Sequence, residues 1–126
     1  MRTRAIAARI MLELSALIDA LHSDIRYHQN MRWVMIRTYP LPAGFNYDHT
    51  SVIIFLPGLY PLLPPTGFAI RVSNDLTKDG APLRTLAKDG WLYFPMSYEQ
   101  QPWRVSEHNL LTVCNRIYEI LDRFEP

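Results

Sequence analysis

The feature that most restricts how this chain can fold is a run containing four prolines, Pro57-Gly-Leu-Tyr-Pro-Leu-Leu-Pro-Pro65. Proline fixes φ and lacks a backbone N–H, so the run cannot form a helix interior or a central strand. Residues 51–56 before it and residues 68–72 after it are rich in β-branched and aromatic types, which favours strands. The sequence therefore predicts two strands joined by a rigid, extended crossover.

Two amphipathic helices are predicted near the ends of the chain, because apolar residues recur there every three or four positions. The first covers residues 4–22, and the second runs from about Ser106 to Phe124 with Ser106 as its N-cap. Arg9, Glu13 and Asp19 fall mostly outside the first apolar stripe. The first stripe consists of Ile6, Ile10, Leu14, Leu17, Ile18 and Leu21, and the second of Leu110, Val113, Cys114, Ile117, Leu121 and Phe124.

Further strands are indicated upstream of the proline run. Residues 31–39 are rich in β-branched and aromatic types and end at a proline, and residues 25–28 are compatible with another strand. Residues 73–90 are polar and contain two Asp-Gly pairs, which indicates a long loop before the aromatic run 91–94. Short strands joined by turns favour an antiparallel sheet with helices against it, so the predicted fold class is α+β.

Length and charge narrow the class of protein. The chain has 126 residues, which corresponds to one domain, and its net charge of +1 argues against a dedicated nucleic-acid or membrane-surface binder. Glu13 and Asp19 interrupt the first apolar stretch and no small-residue cleavage site follows, so we do not expect a signal peptide. No stretch approaches the roughly 20 apolar residues of a membrane span. We expect a cytoplasmic protein that binds neither nucleic acid nor membrane.

The cysteine and histidine content argues against a metal or cofactor site. Cys114 is the only cysteine, which excludes an intramolecular disulfide, and the four histidines lack the paired spacing of metal ligands. We therefore expect no metal and no cofactor. A thiolate is a good nucleophile, but Cys114 lies on the apolar stripe of the second helix, where a cysteine packs as a small hydrophobe. The position predicts a buried residue that is not catalytic.

The order of motifs resembles the ubiquitin-conjugating-enzyme (UBC-like) superfamily. A strand, a Pro-x-x-Tyr-Pro-x-x-Pro-Pro run and a second strand follow one another in that superfamily, as they do here around residues 57–65. Trp103 stands a few residues before the final helix, which adds to the likeness. The segments Tyr39-Pro-Leu-Pro-Ala-Gly-Phe-Asn46 and Trp103-Arg104 resemble a bacterial branch, prokaryotic family E. The resemblance covers roughly residues 24–124.

The resemblance implies a UBC-like domain over residues 1–126. Its parts would be an N-terminal helix (1–22), an antiparallel meander of three to four strands (24–72), an active-site-type loop (73–104) and a C-terminal helix (106–124). The resemblance also implies a role in ubiquitin-like conjugation, in which an activating enzyme hands over a ubiquitin-like protein. These two proteins are the expected partners, and a ubiquitin-like-protein transferase is the implied activity.

The chain departs from conventional members of the superfamily at the catalytic cysteine. It has no His-Pro-Asn motif and no cysteine between Ser73 and Trp103. Ser97 lies in the segment that would pass the active-site cleft, so it is the candidate catalytic residue and would carry the modifier as an oxyester. A serine hydroxyl needs a base, and Glu99 and His108 are the candidates. The alternative is that Ser97 is an ordinary loop serine.

Four aromatic residues are candidates for binding a partner protein, namely Tyr60, Trp91, Tyr93 and Trp103. Tyrosine and tryptophan are enriched at interface hot spots, and they are equally normal components of a small core. Both alternatives stay open from the sequence.

Three functions are compatible with these observations. The first is a bacterial ubiquitin-conjugating-like protein that accepts or positions a ubiquitin-like modifier delivered by an activating enzyme. The second is a catalytically inactive interaction module of the same fold, which binds a ubiquitin-like protein or a partner enzyme. The third is an unrelated α+β domain in which the proline run is a coincidence.

Overall fold

The computed structural model describes the backbone of residues 2–126 and the side chains of residues 8–126. It confirms the predicted α+β class, with a helix before and a helix after an antiparallel sheet. In chain order the elements are α1 (Arg2–Leu21), β1 (Ile25–His28), β2 (Trp33–Pro40), β3 (His49–Phe55), β4 (Gly67–Arg71), β5 (Thr77–Lys78), β6 (Ala81–Pro82), β7 (Trp91–Pro95) and α2 (Leu110–Arg123).

Five of the strands form one antiparallel sheet in the order β1-β2-β3-β4-β7. The proline run joins β3 to β4, as predicted, but the prediction of an extended crossover is wrong. Residues 58–62 form turns, which are closed by hydrogen bonds from Tyr60 N to Pro57 O and from Leu62 N to Leu59 O, because the non-proline residues of the run keep their N–H donors. The sheet is wider than the predicted meander because the aromatic run pairs with β4 as a fifth strand, with Phe94 opposite Phe68. Leu92 and Phe94 face the core, while Tyr93 between them is exposed. The alternation typical of a strand was therefore present inside the segment that we predicted as a loop.

The polar connection between β4 and β7 is folded against the rest of the molecule. β5 and β6 form a short hairpin whose turn residues, Asp79 and Gly80, have φ of 51° and 82°, as a type I′ turn requires. Lys78 is 3% exposed, and its Nζ donates to the carbonyl oxygens of Ala43 and Asp122 at 3.3 and 3.2 Å. Lys78 therefore ties the hairpin to the C-terminal end of α2.

Both helices lie on the same face of the sheet, and one hydrophobic core fills the space between the two layers. Two predictions for α1 are wrong. Ile18 is 45% exposed because it lies about 100° around the helix from Leu17, whereas Glu13 is only 8% exposed because it follows Ile10 by three positions. Ile6 belongs to the residues whose side chains lie outside the described part. Buried residues of α1 and α2 include Ile10, Leu14, Leu17, Leu110, Val113, Cys114, Ile117 and Leu121.

The start of α2 differs from the prediction, since Asn109 and not Ser106 is the N-cap. The Asn109 side chain accepts a hydrogen bond from Thr112 N at 3.1 Å, and Thr112 Oγ1 accepts one from Asn109 N at 3.2 Å. This reciprocal pair is a capping box. Ser106 lies instead in a turn that is closed by a hydrogen bond from His108 N to Arg104 O.

Candidate functional site

The candidate site is built where the proline run meets residues 96–109, which we call the β7–α2 segment. The indole Nε1 of Trp103 donates to the carbonyl oxygen of Pro61 at 2.8 Å, and the Tyr98 hydroxyl donates to that of Pro65 at 2.6 Å. Proline has no N–H, but its carbonyl oxygen remains an acceptor. These two side chains of the β7–α2 segment therefore hold that segment against the proline run. Tyr98 was not singled out from the sequence.

Tyr60 supports this junction from beneath. Tyr60 lies within the proline run, is 2% exposed, and is joined to Pro61 by a cis peptide bond. Its ring lies 6.0 Å from that of Trp103. Its hydroxyl donates to Glu13 Oε1 at 2.8 Å. Burial raises the pKa of Tyr60, so the hydroxyl stays protonated and keeps donating. The proline run is thus fixed to α1 as well as to the β7–α2 segment.

Glu13 joins three parts of the site. Its Oε1 accepts from the Tyr60 hydroxyl and from Leu110 N, the latter at 2.9 Å, so one carboxylate binds the proline run and the first turn of α2. Its Oε2 lies 3.6 Å from Arg9 Nε. Arg9 in turn donates to the carbonyl oxygens of Val105 and His108. We predicted Glu13 to lie mostly off the buried stripe, although its spacing of three positions from Ile10 was a usable signal.

Ser97 is exposed on the β7–α2 segment, directly before the Tyr98 anchor. Its Oγ accepts a hydrogen bond from the backbone N of Glu99 at 3.5 Å. His108 uses Nδ1 to accept from Arg104 N at 2.9 Å. Among the described residues, no hydrogen bond joins Ser97 Oγ to a carboxylate or an imidazole. The fold presents Ser97 at the surface without pairing it with either candidate base.

Cys114 is buried, as predicted. Its side chain is 4% exposed, and burial raises the pKa of the thiol to about 12. Its carbonyl oxygen accepts from the Tyr39 hydroxyl at 2.6 Å, which fixes this turn of α2 to β2. At neutral pH the thiol is protonated and shielded from solvent, so it is a packing group in this conformation.

The four candidate aromatic residues separate into two pairs. Tyr60 and Trp103 lie at the junction described above. Trp91 and Tyr93 lie on the sheet face that is turned away from the helices. There Arg71 Cζ is 5.7 Å from the centre of the Trp91 ring, and the Tyr93 ring is 5.9 Å from the Phe55 ring. Tyr93 is 53% exposed. The fold therefore does not assemble all four side chains into one binding surface, and the binding role of each stays a prediction.

An apolar surface beside the site was not singled out from the sequence. The proline run exposes Leu59, Leu62 and Leu63 by 57%, 56% and 48%, and Met11 of α1 is 61% exposed. A depression of about 440 Å³ lies between α1 and the start of the proline run. Met11 and Leu59 both line this depression, and exposed apolar patches mark interaction sites. We call Met11 with these leucines the leucine surface.

Two other kinds of feature, a metal site and a membrane-spanning helix, concern the described part of the chain. No group of three or more His, Cys, Asp and Glu side chains among residues 8–126 is arranged to hold a metal ion. Neither helix, over the residues described, has the combination of length and hydropathy needed to cross a bilayer.

Comparison with known proteins identifies a family. The family model described as prokaryotic E2 family E matches residues 20–124, a span from the end of α1 to the residue after α2. No curated protein and no solved structure matches the chain.

Proposed function

Because this chain belongs to prokaryotic E2 family E, we propose that it accepts or positions a ubiquitin-like modifier that an activating enzyme delivers. The observation that carries the proposal is the pair of hydrogen bonds from Tyr98 and Trp103 to the proline run. They fix the β7–α2 segment and thereby present Ser97 at the surface beside that run. A segment fixed before binding loses less conformational entropy when a modifier docks on it.

The leucine surface is the proposed docking site for the activating enzyme. Leu59, Leu62 and Leu63 project from a proline-rich backbone whose conformational freedom is already small, so their burial by a partner costs little ordering entropy. Their position on the proline run would bring a bound activating enzyme next to the β7–α2 segment. Tyr60 and Trp103 would support this interface from beneath rather than contact the partner themselves.

In the covalent form of the proposal, Ser97 carries the modifier as an oxyester. Ser97 Oγ attacks the carbonyl carbon of the modifier's C-terminal thioester on the activating enzyme, and the new C–O bond replaces the C–S bond. The hydroxyl proton passes to a base, and the thiol of the activating enzyme is released. Glu99 and His108 are the candidate bases in this chain, and a base from the bound partner would serve equally.

The alternative function, a catalytically inactive interaction module, is favoured by a different observation. Ser97 Oγ has no carboxylate or imidazole hydrogen-bond partner among the described residues, and Cys114 is buried with its pKa raised to about 12. In this alternative the protein binds the ubiquitin-like protein or the activating enzyme without a covalent step.

A reconstituted transfer reaction separates the two alternatives. The protein is mixed with the activating enzyme, its ubiquitin-like modifier and ATP, and covalent adducts are detected by denaturing electrophoresis. The oxyester form predicts an adduct that survives a thiol reductant, is cleaved by hydroxide, is absent in Ser97→Ala and persists in Cys114→Ala. In Ser97→Cys the adduct should become sensitive to the reductant.

Binding measurements complete the experiment. If no adduct forms, the interaction module predicts binding of the activating enzyme or the modifier that weakens in Leu62→Asp. Leu86→Asp is the matched control, because Leu86 is 49% exposed and lies outside the leucine surface. An adduct that is lost only in Cys114→Ala would contradict the assignment of Ser97. If the protein forms no adduct and also binds neither the activating enzyme nor the modifier, the proposed function as a whole is contradicted.

A further inference from the structure

The sheet face turned away from the helices, which we call the outer face, bears an unusual row of side chains. Neighbouring strands place Asp24, Arg37, Ser51, Arg71 and Trp91 side by side across the sheet. Arg26 of β1 stands next to this row, opposite Met35. These side chains line a depression of about 400 Å³, and an adjoining one of about 300 Å³ shares Arg37, Ser51 and Arg71. Together they form a shallow trough across the strands.

The trough carries excess positive charge. Three guanidinium groups, those of Arg26, Arg37 and Arg71, face one carboxylate, that of Asp24. Asp24 Oδ2 lies 3.5 Å from Arg26 Nε and 3.7 Å from Arg37 Nη1, and the two arginine side chains are 69% and 67% exposed. Exposed pairs at such distances are weak, so most of the five N–H donors on each guanidinium remain available to a ligand.

Arg71 is held in position by the residues before and within β7. Its Cζ lies 5.7 Å from the Trp91 ring centre, and its Nη1 donates to the Asp89 carbonyl oxygen at 3.4 Å. Gly90 makes this placement possible, since a Cβ at residue 90 would lie 2.8 Å from Arg71 Cζ. The guanidinium is therefore oriented over the outer face before any ligand arrives, which lowers the entropy cost of binding.

We propose that the trough binds an extended acidic segment of a partner protein, with Asp or Glu at alternate positions. Arg26 lies on β1 and Arg71 on β4, three strand spacings away, so the backbone positions of these two arginines are roughly 14 Å apart. One carboxylate or one phosphate cannot bridge that distance. An extended peptide covers it with about four residues and directs alternate side chains to the same face. Arginine N–H groups match carboxylate oxygens in paired hydrogen bonds.

This inference does not depend on the proposed function, because the trough lies on the opposite face of the sheet from the helices and requires neither Ser97 nor the leucine surface. The probe is a fluorescently labelled octapeptide in which Glu alternates with Ser, and binding to the full chain is followed by fluorescence anisotropy at low ionic strength. We expect Arg37→Glu and Arg71→Glu each to weaken binding by at least about tenfold, and added salt to weaken it as well.

Two further variants test whether the position of the charge matters. Arg123→Glu makes the same change in net charge at an exposed position on α2 and should alter the affinity by less than about twofold. Gly90→Ala keeps every charge but displaces the Arg71 guanidinium, and it should weaken binding by about threefold or more. Circular dichroism checks that each variant is folded.

The proposal would be overturned by any of four results. These are no binding of the glutamate peptide at low ionic strength, equal binding of the peptide with Gln in place of Glu, an equal effect of Arg123→Glu and Arg71→Glu, and no effect of Gly90→Ala in a folded protein. Tighter binding of a single-stranded oligonucleotide or an anionic lipid vesicle through the same arginines would likewise reject an acidic protein segment as the ligand.

Discussion

At the scale of single residues, Cys114 and Ser97 differ both in the reactivity of their side chains and in their exposure to solvent. A thiolate is a far better nucleophile than a serine hydroxyl, yet Cys114 is 4% exposed whereas Ser97 lies open to solvent. Burial raises the pKa of Cys114 to about 12, because the charged thiolate loses its hydration in the apolar layer between α2 and the sheet. The residue with the more reactive side chain is therefore the less accessible one.

The reactivity of Cys114 toward a disulfide reagent provides a direct test. With a pKa of about 12, only about one molecule in 10⁴ carries the thiolate at pH 8, so labelling of the folded protein should be at least about 1,000-fold slower than that of the urea-unfolded chain. Because the folded state retains a proton that the unfolded chain releases above about pH 9, the free energy of unfolding should fall as the pH rises from there toward 12.

The control for this prediction is Ser97→Cys in a Cys114→Ala background, which places the chain's one thiol on the exposed β7–α2 segment. That thiol should react at nearly the unfolded rate. Comparable labelling rates for the native Cys114 and this introduced cysteine would show that α2 opens readily and that Cys114 is accessible after all.

At the scale of elements, the middle of the β7–α2 segment is held by two of its own side chains. Tyr98 and Trp103 bond to carbonyl oxygens of the proline run, and their rings stand 6.1 Å apart in an edge-to-face arrangement. Burial raises the pKa of Tyr98 to about 12, so its hydroxyl remains a donor throughout the neutral range. Between its ends the segment has no regular structure apart from the turn before α2. Its ends are held by a hydrogen bond from Met96 N to Thr66 O and by the hydrogen bonds from Arg9 to Val105 O and His108 O.

Removing both donors should loosen this segment without unfolding the protein. In a Tyr98→Phe/Trp103→Phe variant the two hydrogen bonds are lost, at about 1 kcal/mol each, while most ring packing is kept. We expect trypsin to cleave after Arg104 about tenfold faster or more, since cleavage follows the open population of the segment. The measurement is the rate of appearance of the two fragments.

Trp91→Phe is the matched control, because it also replaces a tryptophan with phenylalanine but on the outer face. It should leave the rate of trypsin cleavage after Arg104 unaltered. An unchanged rate in the double variant would mean that contacts other than these two hydrogen bonds fix the segment.

At the scale of the whole molecule, the buried Glu13 carboxylate connects parts that are far apart in the chain. It reaches Tyr60 in the proline run and Leu110 at the start of α2, which is 97 positions away. Burying a carboxylate is expensive unless it is bonded or paired with a charge. Here two donors bind Oε1, and the Arg9 guanidinium stands 3.6 Å from Oε2, which accepts no hydrogen bond from the described residues. Both helices and the proline run therefore share one polar contact.

Replacing Glu13 should lower the stability of the entire fold. Glu13→Ala leaves the Tyr60 hydroxyl and Leu110 N buried without an acceptor, so we expect the free energy of unfolding to fall by about 3 kcal/mol. Glu13→Gln keeps an acceptor oxygen and should cost about half as much. Urea unfolding measures both. Glu119→Ala, at an exposed position on α2, should change stability by less than about 0.5 kcal/mol, and an equally small effect of Glu13→Ala would refute this role.

Local properties of the sequence were enough to predict the main elements and the family. The proline run excludes helix and central strand through φ and the missing N–H, and it does join β3 to β4. The apolar stripe of α2 correctly predicted that Cys114 is buried. The resemblance to prokaryotic family E is confirmed, and the alternative of an unrelated domain is therefore wrong.

The tertiary structure alone decided the remaining features, because they depend on contacts between distant residues. The aromatic run became a strand through pairing with β4, and the buried Glu13 has Tyr60 and Leu110 as donors to its Oε1. The arginines of the outer face stand in one trough only after four strands are in register. A stripe or a turn is determined by neighbours along the chain, whereas the partner of a hydrogen bond or a charge is determined by the packing of the whole molecule.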